Sequence, residues 1–256
     1  MITSPDNVKL KEVRRLGRRA ARDKLELFTA EGEDLVMAAL QAGWVARNVF
    51  VPGSAPSSLP EELRPIPVDD DLLAEHSQLG SSTRALAVYK QRWKAAEGPL
   101  CVALWGVRDP GNIGTVIRSA DAFGASSVIL GPQCADPYSP KAVRGSMGAI
   151  FTVPVARASE PTELPGTTIA LVAEGGEPLH ELVPPLVQAG TPVTIVVGSE
   201  RDGLPERVAA ACTVRATIPM ARDSVNAAMA ATIALYEIAR AQATGATDSQ
   251  NPGSAA

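Results

Sequence analysis

Short apolar runs alternate with amphipathic segments along most of the chain, and this alternation predicts an α/β protein. Apolar residues at helical spacing predict helices over 9–22 and 33–41, and short apolar runs predict strands over 45–51 and 86–90. The polar stretch 91–99 ends in Gly-Pro, which indicates a linker. A boundary near residue 95 therefore divides the chain into a smaller N-terminal and a larger C-terminal domain.

The alternation is more regular after this linker. A helix is predicted over 112–123, following a Gly-rich loop at 106–111, and a final helix over 224–243. The predicted strands of this half are 100–105, 127–130, 150–155, 168–173, 193–197 and 213–218. The residues that share one face of the final helix are Val225, Met229, Thr232, Ile233, Tyr236 and Ala239. Residues 244–256 are low in complexity, and we expect them to form a disordered tail.

Composition narrows the class of protein. The 256 residues are 45% apolar and 20% charged, so the chain can bury a core, and the scarcity of aromatic residues (4%) disfavours a base-stacking platform. The three cysteines have no CxxC spacing, which excludes a disulfide framework and gives no zinc signature. We expect no metal, because His76 and His180 also lack spaced partners. Without a signal sequence or an 18-residue apolar run, the chain is predicted to be a soluble cytoplasmic protein with no membrane span.

The net charge of −4 hides a basic N-terminal segment. Residues 1–28 hold eight Lys and Arg against four Asp and Glu, a local net charge of +4. On a continuous helix over 9–22, six cations would share one arc of about 140°. These six residues are Lys11, Arg14, Arg15, Arg18, Arg19 and Arg22. Their mutual repulsion favours contact with the phosphates of a polyanion, and a solvated basic face is the alternative.

Three further segments carry candidate chemistry. The first runs from Asp109 through Arg118, where a Gly-rich turn leads into a helix whose free N–H groups could bind an anion. The second, 197–205, follows an apolar strand and is no P-loop, because Leu204 stands where a lysine is required. The third, 218–229, contains Asn226 near the start of the final helix. Each segment also has a simpler interpretation. Arg118 of the first could be a solvated arginine, the second could be a strand-to-helix turn, and the polar residues of the third could cap the final helix.

Taken together and in this order, the three segments resemble the motifs of the SpoU (TrmH-type) RNA ribose 2′-O-methyltransferases of the SPOUT superfamily. The resemblance covers about residues 100–240, and 141–148 resembles a further segment of that family. The matching residues are Asn112, Gly114 and Arg118, then Gly198, Glu200, Gly203 and Leu204, then Ile218, Pro219, Met220, Ser224 and Asn226. Two departures stand out, since Arg201 replaces the usual Gly after the Glu, and Val225 and Ala227 replace residues of the third motif.

The resemblance implies a fold and a cofactor that periodicity alone does not. It implies an open sheet with a deep trefoil knot, binding S-adenosylmethionine (SAM), in a methyltransferase domain at 96–243. It also implies a small α/β RNA-binding domain at 1–95, similar to a group of ribosomal proteins, and a homodimer. The expected cofactor-binding residues are Val172, Ala173, Gly175, Val197, Gly198, Gly203, Ile218, Met220, Val225, Asn226 and Ala227. To the six basic residues it adds Lys141 and Arg144 as expected RNA contacts.

The resemblance also implies a catalytic set, namely Asn112, Arg118, Glu200, Ser224 and Asn226. A guanidinium is a poor base, so we interpret Arg118 as a phosphate clamp, supplied in cis or across the dimer, and the other four as organisers of the pocket. The hypothesis is SAM-dependent methylation of a ribose 2′-OH in RNA, with large-subunit ribosomal RNA favoured over transfer RNA. The alternatives are a non-catalytic RNA-binding protein of the same fold and a small-molecule α/β enzyme.

Overall fold

The computed structural model describes residues 1–54, 58–77, 84–221 and 225–248. Contacts within the chain define two compact units. The first unit combines Met1–Arg92 with Asp136–Thr152, and the second combines Trp93–Ala135 with the described residues from Val153 onward. The units differ from the predicted 1–95 and 96–243 domains chiefly in the segment Asp136–Thr152, which belongs to the N-terminal unit. The assignment of domain roles to 1–95 and 96–243 stays a prediction.

The helices and strands are numbered in chain order. The helices are α1 (Val8–Leu16), α2 (Arg19–Leu25), α3 (Glu33–Gln41), α4 (Asp70–His76), α5 (Pro110–Ala122), α6 (Pro140–Gly145), α7 (Leu179–Gln188), α8 (Glu206–Ala211) and α9 (Ala227–Asp248). The strands are β1 (Leu27–Glu31), β2 (Asn48–Pro52), β3 (Ile66–Val68), β4 (Leu86–Lys90), β5 (Leu100–Leu104), β6 (Ser127–Leu130), β7 (Val155–Arg157), β8 (Thr167–Leu171), β9 (Glu177–Pro178), β10 (Val193–Val197) and β11 (Val214–Thr217).

The N-terminal unit is built on a four-stranded mixed sheet in the order β1-β4-β2-β3. Strand β4 is antiparallel to β1 and β2, whereas β3 is parallel to β2. Beneath the sheet lies a group of ring side chains, which we call the aromatic cluster: Phe28, Trp44, Tyr89, Tyr138 and Phe151. Two of its members come from Asp136–Thr152, and the indole N–H of Trp44 donates to the carbonyl of Phe151 at 2.8 Å. These contacts explain why that segment belongs to this unit.

The predicted helix over 9–22 is wrong, because the chain forms two helices with a break between them. Gly17 ends α1, and Arg18 has an extended backbone (φ −100°, ψ 133°) before α2 begins. The break abolishes the continuous arc of six cations. It also turns Arg22 inward, where the side chain is almost fully buried and its guanidinium lies 2.6–2.7 Å from Asp136 Oδ2. Arg22 also donates to the carbonyl of Leu16, so it binds the end of α1.

The second unit is built on a parallel sheet with the strand order β7-β6-β5-β10-β8-β11-β9. Every recorded strand pair in it is parallel, and the predicted α/β class is confirmed. The strands predicted over 127–130 and 193–197 are confirmed residue for residue, as is β4 in the other unit. The strand predicted over 150–155 is wrong, since Ala149–Phe151 forms a 3-10 turn and β7 begins only at Val155.

Helix α9 packs against α5, α7 and β10 with a face different from the apolar one seen in the sequence. Its buried residues are Ala227, Ala228, Ala231, Ala234, Leu235, Ile238 and Ala241. Met229, Ile233 and Tyr236 are exposed, with 55%, 36% and 51% of their surface accessible. Alanine is the most frequent residue on this buried face, which lets neighbouring elements approach closely, and Leu235 and Ile238 are its larger members.

The bounds of α9 differ from those of the final helix predicted over 224–243. Helix α9 continues to Asp248, so the tail predicted from 244 begins in helix, and 249–256 lie outside the described residues. Ser224 lies outside them as well. Within the part of the chain that the structure describes, no helix combines the length and apolarity needed to cross a bilayer.

Candidate active site

A cavity of about 290 Å³ opens at one edge of the parallel sheet. Strands β10, β8 and β11 are neighbours and run in the same direction, so the loops that follow them meet at this edge. The residues that line the cavity are Leu171, Val172, Ala173, Val197, Gly198, Ser199, Glu200, Arg201, Asp202, Gly203, Ile218, Met220, Val225, Ala227 and Ala230. The wall from β8 and α9 is apolar, whereas the loop after β10 is charged.

The loop after β10 is a closed turn. Ser199 and Gly203 exchange two backbone hydrogen bonds of 3.1 Å, and Gly203 has a φ of +65°, which favours glycine. A Cβ at Gly198 would collide with the backbone of Gly203 and Leu204. Both glycines are therefore required by the backbone, which supports reading them as parts of one motif.

Three polar side chains connect α9, α5 and this loop. Asn226 accepts at Oδ1 from the N–H groups of Ala228 (2.9 Å) and Met229 (3.4 Å), so it caps α9. Its Nδ2 donates to Asn112 Oδ1 at 3.3 Å, and Asn112 Nδ2 donates to Glu200 Oε1. We call Asn226, Asn112 and Glu200 the polar chain. The structure thus brings together one residue from each of the three motif segments.

Arg118 does not join the polar chain. It lies six residues beyond Asn112 on α5, about 9 Å along the helix axis, and its side chain is exposed. Among the described residues no ion pair within 4.0 Å involves it. The start of α5 is also less open to an anion than expected, because the Asp109 carboxylate accepts from the N–H of Gly111 at 2.6 Å.

Most of the predicted cofactor-binding residues line the cavity, with two departures. Gly175 is not among the lining residues, and Asn226 contributes through the polar chain instead. Leu171, Ser199, Asp202 and Ala230 line the cavity but lack any sequence signal of their own. They are neighbours of predicted residues, and only the strand ends and the helix start place them on the wall.

The basic residues predicted to bind RNA fall into two groups, apart from the buried Arg22. Arg14, Arg15 and Arg18 are exposed and have no ion pair within 4.0 Å among the described residues; we call them the basic triplet. Three of the other predicted RNA-binding residues form ion pairs with carboxylates: Lys11 with Asp6 (2.7 Å), Arg19 with Asp23 (3.7 Å) and Arg144 with Asp34 (2.7 Å). Lys141 is exposed on α6.

The cysteines lie away from this chemistry. Burial raises the pKa of the Cys101 and Cys212 thiols, so both are protonated near neutral pH. Cys101 lies in β5 and Cys212 follows α8, and neither lines the cavity. A cysteine nucleophile is thus no part of the site.

An open parallel sheet with a partly apolar cavity at the ends of its strands defines an α/β protein that binds a cofactor-sized molecule. Comparison with known proteins identifies the family within this class. The SpoU rRNA Methylase family matches residues 99–236, and the MRM3-like substrate binding domain matches 7–87. The chain belongs to the SpoU rRNA methylase family.

Relatives and solved structures agree along almost the whole chain. The 23S rRNA (uridine(2479)-2′-O)-methyltransferase of Streptomyces viridochromogenes is 32% identical over 91% of this chain and 89% of its own length. RlmP of Bacillus subtilis, a 23S rRNA (guanosine(2553)-2′-O)-methyltransferase, is 29% identical over 93% of this chain and 98% of its own. An AdoMet-bound rRNA methyltransferase from Sinorhizobium meliloti superposes with a TM-score of 0.82 at 31% identity, covering 93% of this chain and 97% of that one.

Proposed function

We propose that this protein transfers the methyl group of SAM to a ribose 2′-OH of large-subunit ribosomal RNA. The observation that carries the proposal is the cavity at the strand ends with the polar chain on its rim. Two relatives that match more than nine-tenths of this chain are named 23S rRNA 2′-O-methyltransferases, and the S. meliloti structure contains AdoMet. Family, cavity and relatives thus support the same reaction.

The residues of the cavity fit SAM. Leu171, Val172, Ile218 and Ala227 form an apolar wall suited to the adenine ring, and the charged loop after β10 faces a polar end. The volume of about 290 Å³ lies at the lower limit of ligand cavities. SAM supplies an electrophilic methyl group when bound.

The polar chain orients the Glu200 carboxylate, which accepts the proton that the ribose 2′-OH loses in this proposal. Asn112 engages Glu200 Oε1, which leaves Oε2 as the carboxylate oxygen able to accept from the 2′-OH. Arg118 is exposed and cationic, so it holds an RNA phosphate next to the reacting ribose and stabilises the developing negative charge. Ser224 belongs to this proposal on the strength of the motif alone.

The N-terminal unit holds the RNA in this proposal. The basic triplet offers three exposed cations on and just beyond α1, and the matching substrate-binding domain spans 7–87. The other expected RNA contacts are Lys11, Arg19, Lys141 and Arg144, and those paired with a carboxylate must exchange that partner for a phosphate. This domain takes a fold similar to that of RNA-binding ribosomal proteins.

The exposed face of α9 supports a homodimer. Met229, Ile233 and Tyr236 recur at i, i+4 and i+7 and form a stripe of large apolar side chains, which we call the α9 stripe. A two-fold axis through such a stripe would bury it against its own copy. The proposal also includes a deep trefoil knot in the second unit, supported by the family match over 99–236, and a cytoplasmic location, where the substrate RNA is assembled.

The test is incubation of the full chain with methyl-labelled SAM and either ribosomal or transfer RNA, followed by alkaline hydrolysis. A 2′-O-methyl group blocks cleavage of the adjacent phosphodiester bond, so label should appear in dinucleotides from the large-subunit RNA. Label in mononucleotides would show base methylation. Label confined to transfer RNA would show that transfer RNA, and not ribosomal RNA, is the substrate. Absence of transfer despite SAM and RNA binding would favour the non-catalytic alternative.

Arg118→Ala should abolish transfer and leave SAM binding within about twofold. The matched control is Arg207→Ala, an exposed arginine on α8 that pairs with Glu160 at 3.4 Å outside the cavity. Retained transfer in the Arg118 variant would remove this residue from the reaction.

A further inference from the structure

Three consecutive charged residues, Glu200, Arg201 and Asp202, line the same part of the cavity. Glu200 is engaged by Asn112 in the polar chain. Arg201 and Asp202 have no ion pair within 4.0 Å among the described residues, even though they are neighbours of opposite charge. Arg201 is also a position at which this chain departs from the second motif that it resembles.

The turn that carries these two residues is closed by three hydrogen bonds. Ser199 and Gly203 pair through their backbones at 3.1 Å, and the N–H of Asp202 donates to Ser199 Oγ at 3.1 Å. The turn therefore holds the Cα atoms of Arg201 and Asp202 in place on the wall. Arg201 is the single cationic side chain among the described residues that line the cavity.

The cavity is thus apolar at one side and carries a charge pair at the other. SAM has a similar asymmetry, because its adenine ring has flat apolar faces and no charge, whereas its methionine end bears a carboxylate and an α-ammonium group. Building on the proposed function, we propose that Arg201 binds the methionine carboxylate of SAM and that Asp202 binds the α-ammonium. A guanidinium matches a carboxylate through two parallel hydrogen bonds, and a carboxylate accepts from an ammonium.

This assignment explains why an arginine at position 201 would benefit the enzyme. The two charges select nucleosides that carry a complete amino-acid end and discriminate against truncated ones. The same contacts would hold S-adenosylhomocysteine, which retains both groups, so product binding depends on Arg201 as well.

The experiment measures binding by calorimetry, with the full-length chain and three ligands. SAM carries both charged groups, decarboxylated SAM keeps the ammonium, and 5′-methylthioadenosine lacks both. Arg201→Met should weaken SAM about tenfold and change the other two ligands less than twofold, whereas Arg201→Lys should recover part of the loss. Asp202→Asn should weaken SAM and decarboxylated SAM and leave 5′-methylthioadenosine unchanged.

Binding of 5′-methylthioadenosine also reports that each variant keeps its adenosine pocket. Equal losses for all three ligands, or no loss for SAM, in Arg201→Met would overturn the assignment. A carboxylate-dependent loss in Arg222→Met instead, at a residue outside the described ones, would overturn it too. If wild type binds none of the three, the proposed function itself fails; if it binds SAM without this pattern, only the Arg201–Asp202 subsite fails.

Discussion

The polar chain has one hydrogen-bonding direction. Asn226 Oδ1 accepts from two N–H groups of α9, so its Nδ2 must donate to Asn112, and Asn112 must then donate to Glu200. Each amide thereby has a defined orientation. A carboxylate at the end of such a chain is held in place, and in the proposed reaction its other oxygen faces the ribose.

Glu200→Gln should separate orientation from proton acceptance. Glutamine can still accept from Asn112 through Oε1, but its NH₂ group replaces the oxygen that would take the 2′-OH proton. We expect kcat to fall by about 10²-fold or more, with SAM affinity within about twofold. Glu206→Gln, on α8 outside the cavity, is the control and should leave kcat unchanged. A normal rate in Glu200→Gln would contradict the assigned role.

Tyr89 carries a buried polar group that costs the N-terminal unit stability. Its hydroxyl is buried in the aromatic cluster and has no hydrogen-bond partner among the described residues, and burial raises the pKa of Tyr89 well above its ordinary value. Tyr89→Phe removes an unsatisfied polar atom, so the free energy of unfolding should rise by about 1 kcal/mol. Urea denaturation measures this change.

Tyr138→Phe is the matched comparison for Tyr89→Phe. The Tyr138 hydroxyl donates to the carbonyl of Arg92 at 2.6 Å and accepts from its N–H at 3.1 Å. Its removal should therefore destabilise the protein by about 1–2 kcal/mol. Changes of the same sign in the two variants would contradict the contrast.

At the level of elements, the break between α1 and α2 decides which cations face solvent. The basic triplet stays exposed, whereas Arg22 turns into the core and holds the end of α1. Reversing Arg15 and Arg18 to Glu should weaken RNA binding and reduce the slope of log K against log salt by about 2, since each lost phosphate contact removes about one unit. Filter binding over a range of salt concentrations measures the slope.

The control for this reversal is the double variant Arg207→Glu and Arg240→Glu. It makes the same change in net charge at exposed arginines on α8 and α9 that already have carboxylate partners. Its salt slope should match wild type. Equal effects in both double variants would show that net charge, and not the basic triplet, sets RNA affinity.

The proposed homodimer associates through the α9 stripe. Ile233→Glu introduces a charge at the centre of this stripe, so the proposal predicts dimers for wild type and monomers for the variant in sedimentation equilibrium. Gln242→Glu places the same charge elsewhere on the exposed surface of α9 and should stay dimeric. A dimeric Ile233→Glu variant would place the interface on another surface.

At the scale of the whole molecule, the first unit requires two separate stretches of chain. A fragment of residues 1–95 would lose Asp136, the partner of the buried Arg22, together with Tyr138 and Phe151 of the aromatic cluster. An unpaired buried charge costs about 3–5 kcal/mol, and each missing large aromatic a similar amount. Together these losses of about 9–15 kcal/mol are as large as the stability of an ordinary domain, about 5–15 kcal/mol, so the fragment should be unfolded by circular dichroism. A cooperative thermal transition in the fragment would contradict this.

Sequence reasoning succeeded where local pattern and local structure agree. Strand β10 is five apolar residues buried on both faces of a parallel sheet, and its boundaries follow from that run alone. It failed where burial depends on distant partners. Arg22 is buried because Asp136 meets it from 114 residues away, and the α9 face was misread because large apolar residues at helical spacing resemble a core.

The candidate site follows the same division. Asn112, Glu200 and Asn226 were expected from the resemblance to the SpoU motifs, and the structure brings these three side chains into one hydrogen-bonded chain. The lining residues Ser199 and Asp202 were not expected, since their place depends on the closed turn between Gly198 and Gly203. Side-chain direction within a turn is set by backbone geometry that residue types only partly encode.

The position of β10 in the sheet has a consequence for synthesis of the chain. Strand β5 pairs with β6 on one side, but its other partner, β10, begins 93 residues later in the register that joins Leu100 to Val193. At about 5–20 residues per second, the ribosome needs about 5–20 s to supply that partner. During this interval one edge of Leu100–Leu104, a wholly apolar strand, has no neighbour. Slower translation would lengthen the time during which the nascent chain is prone to aggregate, and chaperones that cover apolar strands would act in that window.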